Sequence, residues 1–200
     1  MEKIKTLFLD IGGVLLTNGF DRQIREKALK KFNLDEQKFN PLHKKYYDLH
    51  EQGKIDLKTY LKKTIFYKKR SFSEAEFIKF IEEQSKPHPE MLKAMHEIKQ
   101  KYHLTVAALS NEGKELAKYR IKTFNLNSLF DFFIVSSFVG HQKPDPKIYK
   151  MAEDIAGCPL NEIIYVDDRD YLIEAASKLG MRGILHTSLE TTKKKLNQLL

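Results

Sequence analysis

Leu7-Phe8-Leu9-Asp10-Ile11-Gly12-Gly13-Val14-Leu15-Leu16 is the stretch of sequence that decides the fold. Its first three residues form an uncharged apolar run, which is typical of a strand buried on both faces in a parallel sheet. Asp10 then lies at the carboxyl end of that strand, where open α/β sheets bind their ligands. Gly12 and Gly13 allow backbone N–H groups to approach an anion closely. A polar strand end entering a glycine turn is the ordinary alternative, so the rest of the chain must decide.

Residues 18–86 carry helical patterns with no strand between them. Asp21, Asp56 and Ser73 stand where the N-cap residues of helices are expected, and Ser73 begins a capping-box pattern. Asn40-Pro41 predicts a further helix that begins at the proline. We therefore predict about four helices here, forming a cap domain that is inserted into the first crossover of the sheet.

Strand and helix patterns alternate after residue 87. The predicted strands cover residues 104–109, 132–136, 163–166 and 183–186, and the predicted helices cover 89–102, 112–124, 146–156, 171–179 and the chain from 189 onward. This alternation predicts an α/β fold built on a parallel sheet with right-handed crossovers. The predicted core domain comprises residues 1–17 and 87–200, and the predicted cap domain comprises residues 18–86.

Polar side chains follow four of the predicted strands. Asp10 ends the first strand, Ser110-Asn111 the second and Asp167-Asp168 the fourth, while Lys143 lies in the loop after the third. Each of these has an ordinary explanation by itself, such as a helix cap for Ser110 or a surface position for Lys143. Because the carboxyl ends of parallel strands meet at one edge of a sheet, their joint occurrence favours a functional site.

This set of side chains suits phosphoryl transfer to a carboxylate. Asp10 can attack phosphorus and form an aspartyl-phosphate. Asp10 with Asp168, supported by Asp167, offers the oxygen ligands that Mg²⁺ prefers. Ser110 and the start of the following helix can donate hydrogen bonds to a phosphoryl group, and Lys143 can neutralise its charge.

Composition and length indicate an ordinary folded chain. The 200 residues are 42% hydrophobic and 31% charged, and no apolar run approaches the ~20 residues of a membrane span. The amino-terminal residues lack the layout of a signal peptide. Cys158 is the only cysteine, which excludes an internal disulfide. These features lead us to expect a cytoplasmic protein without a membrane partner.

The formal net charge of +8 raises the possibility of a nucleic-acid partner. However, only six of the 35 basic residues are arginines, and the lysines are spread along the chain. Sites that read bases favour arginine forks over lysines. We therefore expect no nucleic-acid partner, and interpret the excess charge as a solvated surface that can also attract anionic substrates.

The four motifs resemble those of the haloacid dehalogenase (HAD) superfamily over nearly the whole chain. The resembling segments are residues 7–15, 109–111, 140–146 and 164–168. The resemblance implies a Rossmann-like parallel sheet with an inserted α-helical cap. Within the predicted cap, residues 50–56 are similar to a segment of the subgroup that contains sugar-1-phosphate phosphatases and the amino-terminal domain of soluble epoxide hydrolase.

The resemblance also implies roles for individual residues. Asp10 and Lys143 take the catalytic positions, with Asp10 as the nucleophile. The implied phosphate-binding residues are Gly13, Ser110, Asn111 and Lys143, and the implied Mg²⁺ ligands are Asp10, the backbone carbonyl of Gly12, Asp167 and Asp168. We expect Asp168 rather than Asp167 to contact the metal directly. The implied function is a Mg²⁺-dependent phosphatase acting on a small phosphorylated metabolite, with sugar phosphates among the candidates.

Gly12 departs from the family pattern, because family phosphatases usually carry an acid–base Asp at this position. The loss of general acid–base catalysis typically costs 10²–10⁴-fold in rate. Three explanations remain open: a substrate whose leaving group needs little protonation, such as a sugar 1-phosphate; a substitute group such as His141 or Tyr46; or a catalytically impaired HAD fold that acts as a binding or regulatory protein.

Two further points concern specificity. A metal-free dehalogenase would not need the paired acids Asp167 and Asp168, and residues 17–20 lack the arginine that such enzymes usually carry. Aromatic residues within 46–50 and 66–67 are candidates for reading the leaving group, although packing inside the cap is the more common role of such residues. The oligomeric state is not predicted.

Overall fold

A computed structural model describes residues 3–200 as a five-stranded parallel sheet in the order β3-β2-β1-β4-β5. The strands are β1 (Thr6–Leu9), β2 (Thr105–Ser110), β3 (Phe132–Val135), β4 (Ile163–Asp167) and β5 (Arg182–Leu185). β1 is central, with Leu9 aligned between Ala108 of β2 and Val166 of β4. The predicted α/β fold class is therefore confirmed, and Asp10 follows the middle strand.

The first strand forms because each of its faces is covered by apolar side chains. Leu7 and Leu9 belong to one hydrophobic cluster, and Phe8 belongs to a second on the opposite face. The first cluster includes residues of α5 (Pro89–Tyr102) and α10 (Leu189–Leu199), and the second includes residues of α8 (Pro146–Ala156) and α9 (Asp170–Lys178). Burial on both sides explains the uncharged run that the sequence shows.

Two shorter helices complete the connections around the sheet. α6 (Lys114–Thr123) follows β2, and the four-residue helix α7 (Ser136–Val139) follows β3. The third strand was predicted to reach Ser136, but that residue begins α7. Short 3₁₀ turns at Leu126–Ser128 and Leu160–Glu162 lead into β3 and β4.

Four helices lie between β1 and α5: α1 (Arg22–Lys31), α2 (Glu36–Glu51), α3 (Leu57–Thr64) and α4 (Glu74–Glu83). Their buried apolar residues form a third hydrophobic cluster, and every buried member of it lies between residues 28 and 80. The division into cap and core domains stays a prediction, which this separate cluster supports.

The predicted N-caps are confirmed. The side chains of Asp21, Asp56 and Ser73 accept hydrogen bonds from backbone N–H groups in the first turns of α1, α3 and α4. The predicted start of the second helix at Pro41 is wrong: α2 begins at Glu36, and Asp35 caps it by accepting from the N–H of Lys38 at 3.2 Å. The helix can begin after Asp35 and continue through Pro41, because this proline removes only one hydrogen bond of a 16-residue helix.

The two ends of segment 18–86 are paired side by side. Thr17 N–H donates to the carbonyl of Lys86 at 2.8 Å, and Lys86 N–H donates to Thr17 Oγ1 at 3.0 Å. Leu16 and Pro87 form an antiparallel bridge beside them. The chain thus leaves the sheet region and returns to it at the same place.

No helix within residues 3–200 combines the length and apolarity needed to cross a bilayer.

Candidate active site

The strand ends bring the predicted polar residues together around Lys143. Its Nζ lies 3.3 Å from Asp10 Oδ2 and 2.7 Å from Asp167 Oδ2. It also donates to the carbonyl of Leu109 and to Tyr165 Oη, each at 2.8 Å. The side chain is fully buried, so its charge is matched by these oxygens rather than by water.

Lys143 is held charged by its neighbours. Burial alone would lower the pKa of its ammonium group, but the carboxylates of Asp10 and Asp167 outweigh burial and raise that pKa above its ordinary value. The ammonium group therefore supplies a fixed positive charge within contact of Asp10.

Asn111 fixes the backbone of Lys143 rather than pointing into open space. Its amide nitrogen donates to the Lys143 carbonyl at 2.8 Å, and its amide oxygen accepts from the Lys143 N–H at 2.8 Å. The side chain of Asn111 is thus committed within the protein. The phosphate contact predicted for Asn111 stays a prediction. Because the side chain is committed, the backbone N–H would have to make that contact.

Three carboxylates converge beside this lysine. Among residues 3–200, one oxygen from each of Asp10, Asp167 and Asp168 can be chosen so that all lie within 4.8 Å of one another. Both oxygens of Asp167 accept hydrogen bonds. Oδ2 accepts from Lys143 and Tyr165, and Oδ1 accepts from the N–H of Arg169. Asp168 differs, because its Oδ1 is buried without a hydrogen-bond partner while Oδ2 accepts from Asn18 at 3.3 Å. These oxygens can hold a metal ion.

The buried carboxylates disfavour one another's charge. Burial raises the pKa of Asp10 to about 7 against the lowering effects of Lys143 and the Ser110 hydroxyl, and Asp167 and Asp168 raise it further. Burial also raises the pKa of Asp168. A second cation beside Lys143 would relieve this repulsion.

Gly13 is required by the packing of the carboxylate cluster. Its φ of +74° is a left-handed conformation, and a Cβ at this position would collide with the carboxylate of Asp168. Its N–H donates to the carbonyl of Leu16 at 2.8 Å, so the predicted phosphate contact from Gly13 stays a prediction and competes with that bond.

Gly12 sits in a different setting. A Cβ there would lie 3.3 Å from Asn18 Oδ1 and 3.7 Å from the guanidinium of Arg120, so even a methyl group would be a tight fit against Asn18. Arg120 is buried, pairs with Glu112 and donates to the carbonyl of Thr17. A buried ion pair therefore lies beside the position that lacks a side chain.

A cavity of about 340 Å³ opens over these residues, between the sheet edge and helices α1–α4. Asp10, Ser110 and Lys143 line its base. The residues that line it from the helical segment include Arg25, Tyr47, His50, Glu51, Tyr60 and Phe77. We call this space the active-site cavity.

Residues 50–53, which we call the docking turn, join the helical segment to the sheet edge. Ser136 Oγ donates to the carbonyl of Glu51 at 2.7 Å and accepts from the N–H of Glu112 at 3.0 Å. Gly53 packs so tightly on Ser137 that a Cβ would collide with its backbone carbonyl. His50 packs against Gly113 in a similar way, since a Cβ at Gly113 would collide with the His50 ring. These contacts hold the end of α2 over the cavity.

Sequence reasoning missed several residues of this site. Asn18 and Arg120 gave no signal, because a turn asparagine and a helical arginine are common outside sites, while Tyr165 lay within the family-like segment 164–168 without being singled out. Glu51 fell within residues 50–56, the segment with a family resemblance, and that was its available signal. The suggested cap readers are divided: Tyr47 and His50 line the cavity, whereas Tyr46, Phe66 and Tyr67 are not among the lining residues, and neither is His141, the other suggested acid–base substitute.

Comparison with known proteins gives a family match. A model described as a haloacid dehalogenase-like hydrolase matches residues 4–180. Among solved structures, a HAD family enzyme from Bacteroides thetaiotaomicron in complex with magnesium and inorganic phosphate has a TM-score of 0.78 and 24% identity, covering 92% of this chain and 94% of that one. At this identity the likeness shows the fold.

Curated relatives of different activities align with parts of the chain. Bifunctional epoxide hydrolase 2 of Sus scrofa is 38% identical over 69 residues, which are 34% of this chain and 12% of the relative. A phosphorylated carbohydrates phosphatase of Thermotoga maritima is 26% identical over 67% of this chain and 59% of its own. (S)-2-haloacid dehalogenase 4A of Burkholderia cepacia is 27% identical, over 48% and 42% respectively. Each alignment spans less than two thirds of the relative.

Proposed function

The chain belongs to the haloacid dehalogenase-like hydrolases, and from this we propose that it is a Mg²⁺-dependent phosphatase of small phosphorylated metabolites. The observation that carries the proposal is the carboxylate cluster of Asp10, Asp167 and Asp168, in which Asp168 Oδ1 is buried without a hydrogen-bond partner, with Arg169 Nε 3.9 Å away. Such an oxygen is costly to bury unless a cation or donor binds it.

The donor set fits Mg²⁺, which prefers carboxylate and carbonyl oxygens. Asp10 and Asp168 would hold it with the backbone carbonyl of Gly12, and Asp167 would support it while remaining bound to Lys143. When bound, the ion would neutralise the repulsion between the carboxylates and a phosphate group.

The remaining residues suit attack on phosphorus. Asp10 is the proposed nucleophile, giving an aspartyl-phosphate and a free alcohol. Lys143, 3.3 Å from Asp10, would neutralise the phosphoryl oxygens, and Ser110 at the end of β2 would donate to them. Water would then hydrolyse the aspartyl-phosphate and restore Asp10.

A phosphatase accounts for these residues better than a dehalogenase does. Both activities occur among the relatives. A metal-free attack on carbon would leave three neighbouring carboxylates, two of them buried, beside one buried lysine, and Asp168 Oδ1 without a hydrogen bond. A metal ion and a phosphate group bring opposite charges that this arrangement accommodates.

The cavity supports a small phosphorylated substrate, and we propose sugar phosphates as the first class to test. Its volume of about 340 Å³ lies in the range of small-molecule sites, and helices α1–α4 cover it. The Thermotoga maritima relative is named for phosphorylated carbohydrates, which agrees with this choice.

A second candidate function follows from Gly12. No carboxyl group stands two residues after the nucleophile, and Arg120 lies beside that space. A protein without general acid–base catalysis could serve as a phosphometabolite-binding or regulatory protein. Retained ligand binding without turnover would favour this alternative.

The deciding experiment measures phosphate release from a panel of sugar 1-phosphates and sugar 6-phosphates. The wild type is assayed with Mg²⁺ and with EDTA, beside Asp10→Asn and the exposed control Asp154→Asn. We expect turnover that requires Mg²⁺, is lost in Asp10→Asn and survives in the control. A folded wild type that binds Mg²⁺ and hydrolyses none of these compounds would support the binding alternative instead.

A further inference from the structure

The proposed reaction needs a proton that the carboxylate cluster does not supply. When an ordinary alcohol leaves phosphorus, its oxygen must be protonated, and general acid catalysis of this kind contributes about 10²–10⁴-fold. Asp10 is the proposed nucleophile and Asp167 and Asp168 face the proposed metal. A donor must therefore come from elsewhere in the active-site cavity.

Most other titratable side chains along the cavity are committed to structural contacts. Glu112 is paired with Arg120. Glu115 accepts the N–H of Leu57 at 3.3 Å. His50 packs against Gly113 and stacks on Tyr60, with ring centroids 5.2 Å apart. These groups anchor the helices to the sheet edge.

Glu51 differs from these three groups. It is the last residue of α2, and it lines the cavity that Asp10 also lines. Its backbone carbonyl is fixed by Ser136 Oγ, and the next glycine, Gly53, is pressed against Ser137. The docking turn thus holds the backbone of Glu51 in place while its side chain lines the cavity near Tyr47, one turn earlier, whose hydroxyl donates to the carbonyl of Phe20 at 3.4 Å.

We propose that Glu51 is the catalytic residue that protonates the leaving oxygen and then deprotonates the attacking water. The inference rests on the proposed phosphatase function. It assigns the missing acid–base group to the helical segment instead of to the loop after β1.

The electrostatic surroundings of Glu51 support both halves of this role. Burial raises the pKa of Glu51 to about 7, the nearby hydroxyl of Tyr47 and the charge of Arg169 lower it, and the charges of Glu112 and Asp48 raise it. Tyr60 of α3 also faces the group. Near neutral pH the carboxyl group is therefore populated in both its acid and its base form.

The proton balance closes over two steps. In the first, Asp10 bonds to phosphorus, the bond from phosphorus to the leaving oxygen breaks, and that oxygen takes the Glu51 proton. In the second, Glu51 takes a proton from water as the water oxygen bonds to phosphorus, and the bond to Asp10 breaks. Alcohol and inorganic phosphate are released, and both side chains return to their starting forms.

The test compares leaving groups in Glu51→Gln and in the matched control Glu36→Gln, an exposed residue of the same helix. Substrates are a sugar 6-phosphate, whose alkoxide needs a proton, and p-nitrophenyl phosphate, whose phenolate does not. We expect Glu51→Gln to lower kcat/KM for the sugar 6-phosphate by about 10²–10⁴-fold and for p-nitrophenyl phosphate by less than about threefold. Glu36→Gln should leave both values near those of the wild type.

The pH profile supplies a second readout. Because the acid must be protonated, wild-type kcat/KM for the sugar 6-phosphate should fall as pH rises above about 7, and Glu51→Gln should lose this fall. Equal losses on both substrates, or no loss on either, would overturn the proposal. So would a wild type that hydrolyses p-nitrophenyl phosphate alone. A wild type inactive on every monoester would instead reject the phosphatase function itself.

Discussion

Gly13 and Asp168 show how single residues set the site. The positive φ of Gly13 and the closeness of Asp168 Oδ2 mean that the loop after β1 and the carboxylate cluster are built against each other. A side chain at this position would displace the carboxylate with the unpartnered oxygen. Gly13 therefore matters to the site through its lack of a side chain.

Gly13→Ala is expected to weaken Mg²⁺ binding at least tenfold, because its Cβ occupies the space of the Asp168 carboxylate. Gly157→Ala is the matched control: its φ of +64° carries a similar backbone strain of about 1–2 kcal/mol, but nothing lies within 4 Å of the added Cβ. Isothermal titration with Mg²⁺ and urea unfolding compare the two variants. Equal Mg²⁺ affinities in both would show that the collision does not reach the metal ligands.

At the residue scale the sequence predicted the charged members of the site and not their partners. Asp10, Ser110, Lys143, Asp167 and Asp168 were found because strand ends in a parallel sheet share an edge. The hydrogen bond from Asn18 to Asp168 joins residues 150 positions apart, and such pairing depends on loop geometry that no local pattern encodes.

The docking turn is the element that links the helices to the chemistry. It contacts the sheet edge through His50, Glu51 and Gly53. In each contact, one of the two partners is a backbone group or a small residue. A small displacement of this turn would move Glu51 without touching the carboxylate cluster.

Gly53→Ala is expected to shift the docking turn, because φ is +67° and the added Cβ would collide with the Ser137 carbonyl. We expect kcat/KM for a sugar 6-phosphate to fall at least tenfold, that for p-nitrophenyl phosphate to fall less, and Mg²⁺ affinity to stay at the wild-type level. Steady-state kinetics and Mg²⁺ titration measure these quantities, again beside Gly157→Ala. A loss of Mg²⁺ binding would mean that the turn supports the metal site directly.

Element prediction succeeded where capping and periodicity agreed. The helix at 146–156 matches α8, and Asp145 caps it by accepting from the N–H of Lys147. It failed for α2, because Asn40-Pro41 also fits a helix start, whereas the observed helix is capped by Asp35 and buries Phe39. It also missed α7, which is a single turn too short to show a period.

The molecule as a whole contains two kinds of core. The sheet is covered on both faces by apolar clusters, whereas helices α1–α4 bury a cluster of their own that is rich in phenylalanine and tyrosine. The active-site cavity lies where these two cores meet. Substrate contacts are thus shared between them, while the carboxylate cluster belongs to the sheet edge.

Phe39→Ala tests this separation, since Phe39 is 3% exposed and belongs to the helical cluster without lining the cavity. Removing a buried phenylalanine side chain costs about 3–5 kcal/mol. We expect urea unfolding to begin in the helical segment and turnover of a sugar 6-phosphate to fall at least tenfold. Mg²⁺ affinity measured at low temperature should persist, and its loss would show that the sheet edge depends on the helical cluster.

The pairing of Thr17 with Lys86 has a consequence for how such a protein can diversify. Because the chain departs from the sheet and comes back at one hydrogen-bonded point, the intervening segment can lengthen, shorten or be replaced without shifting the strand register. On the proposed function, mutations there can alter which metabolite is accepted while the chemistry of the sheet edge is inherited unchanged. If Glu51 is the acid–base group, part of that chemistry has itself moved into the replaceable segment, and reaction and recognition must then evolve together.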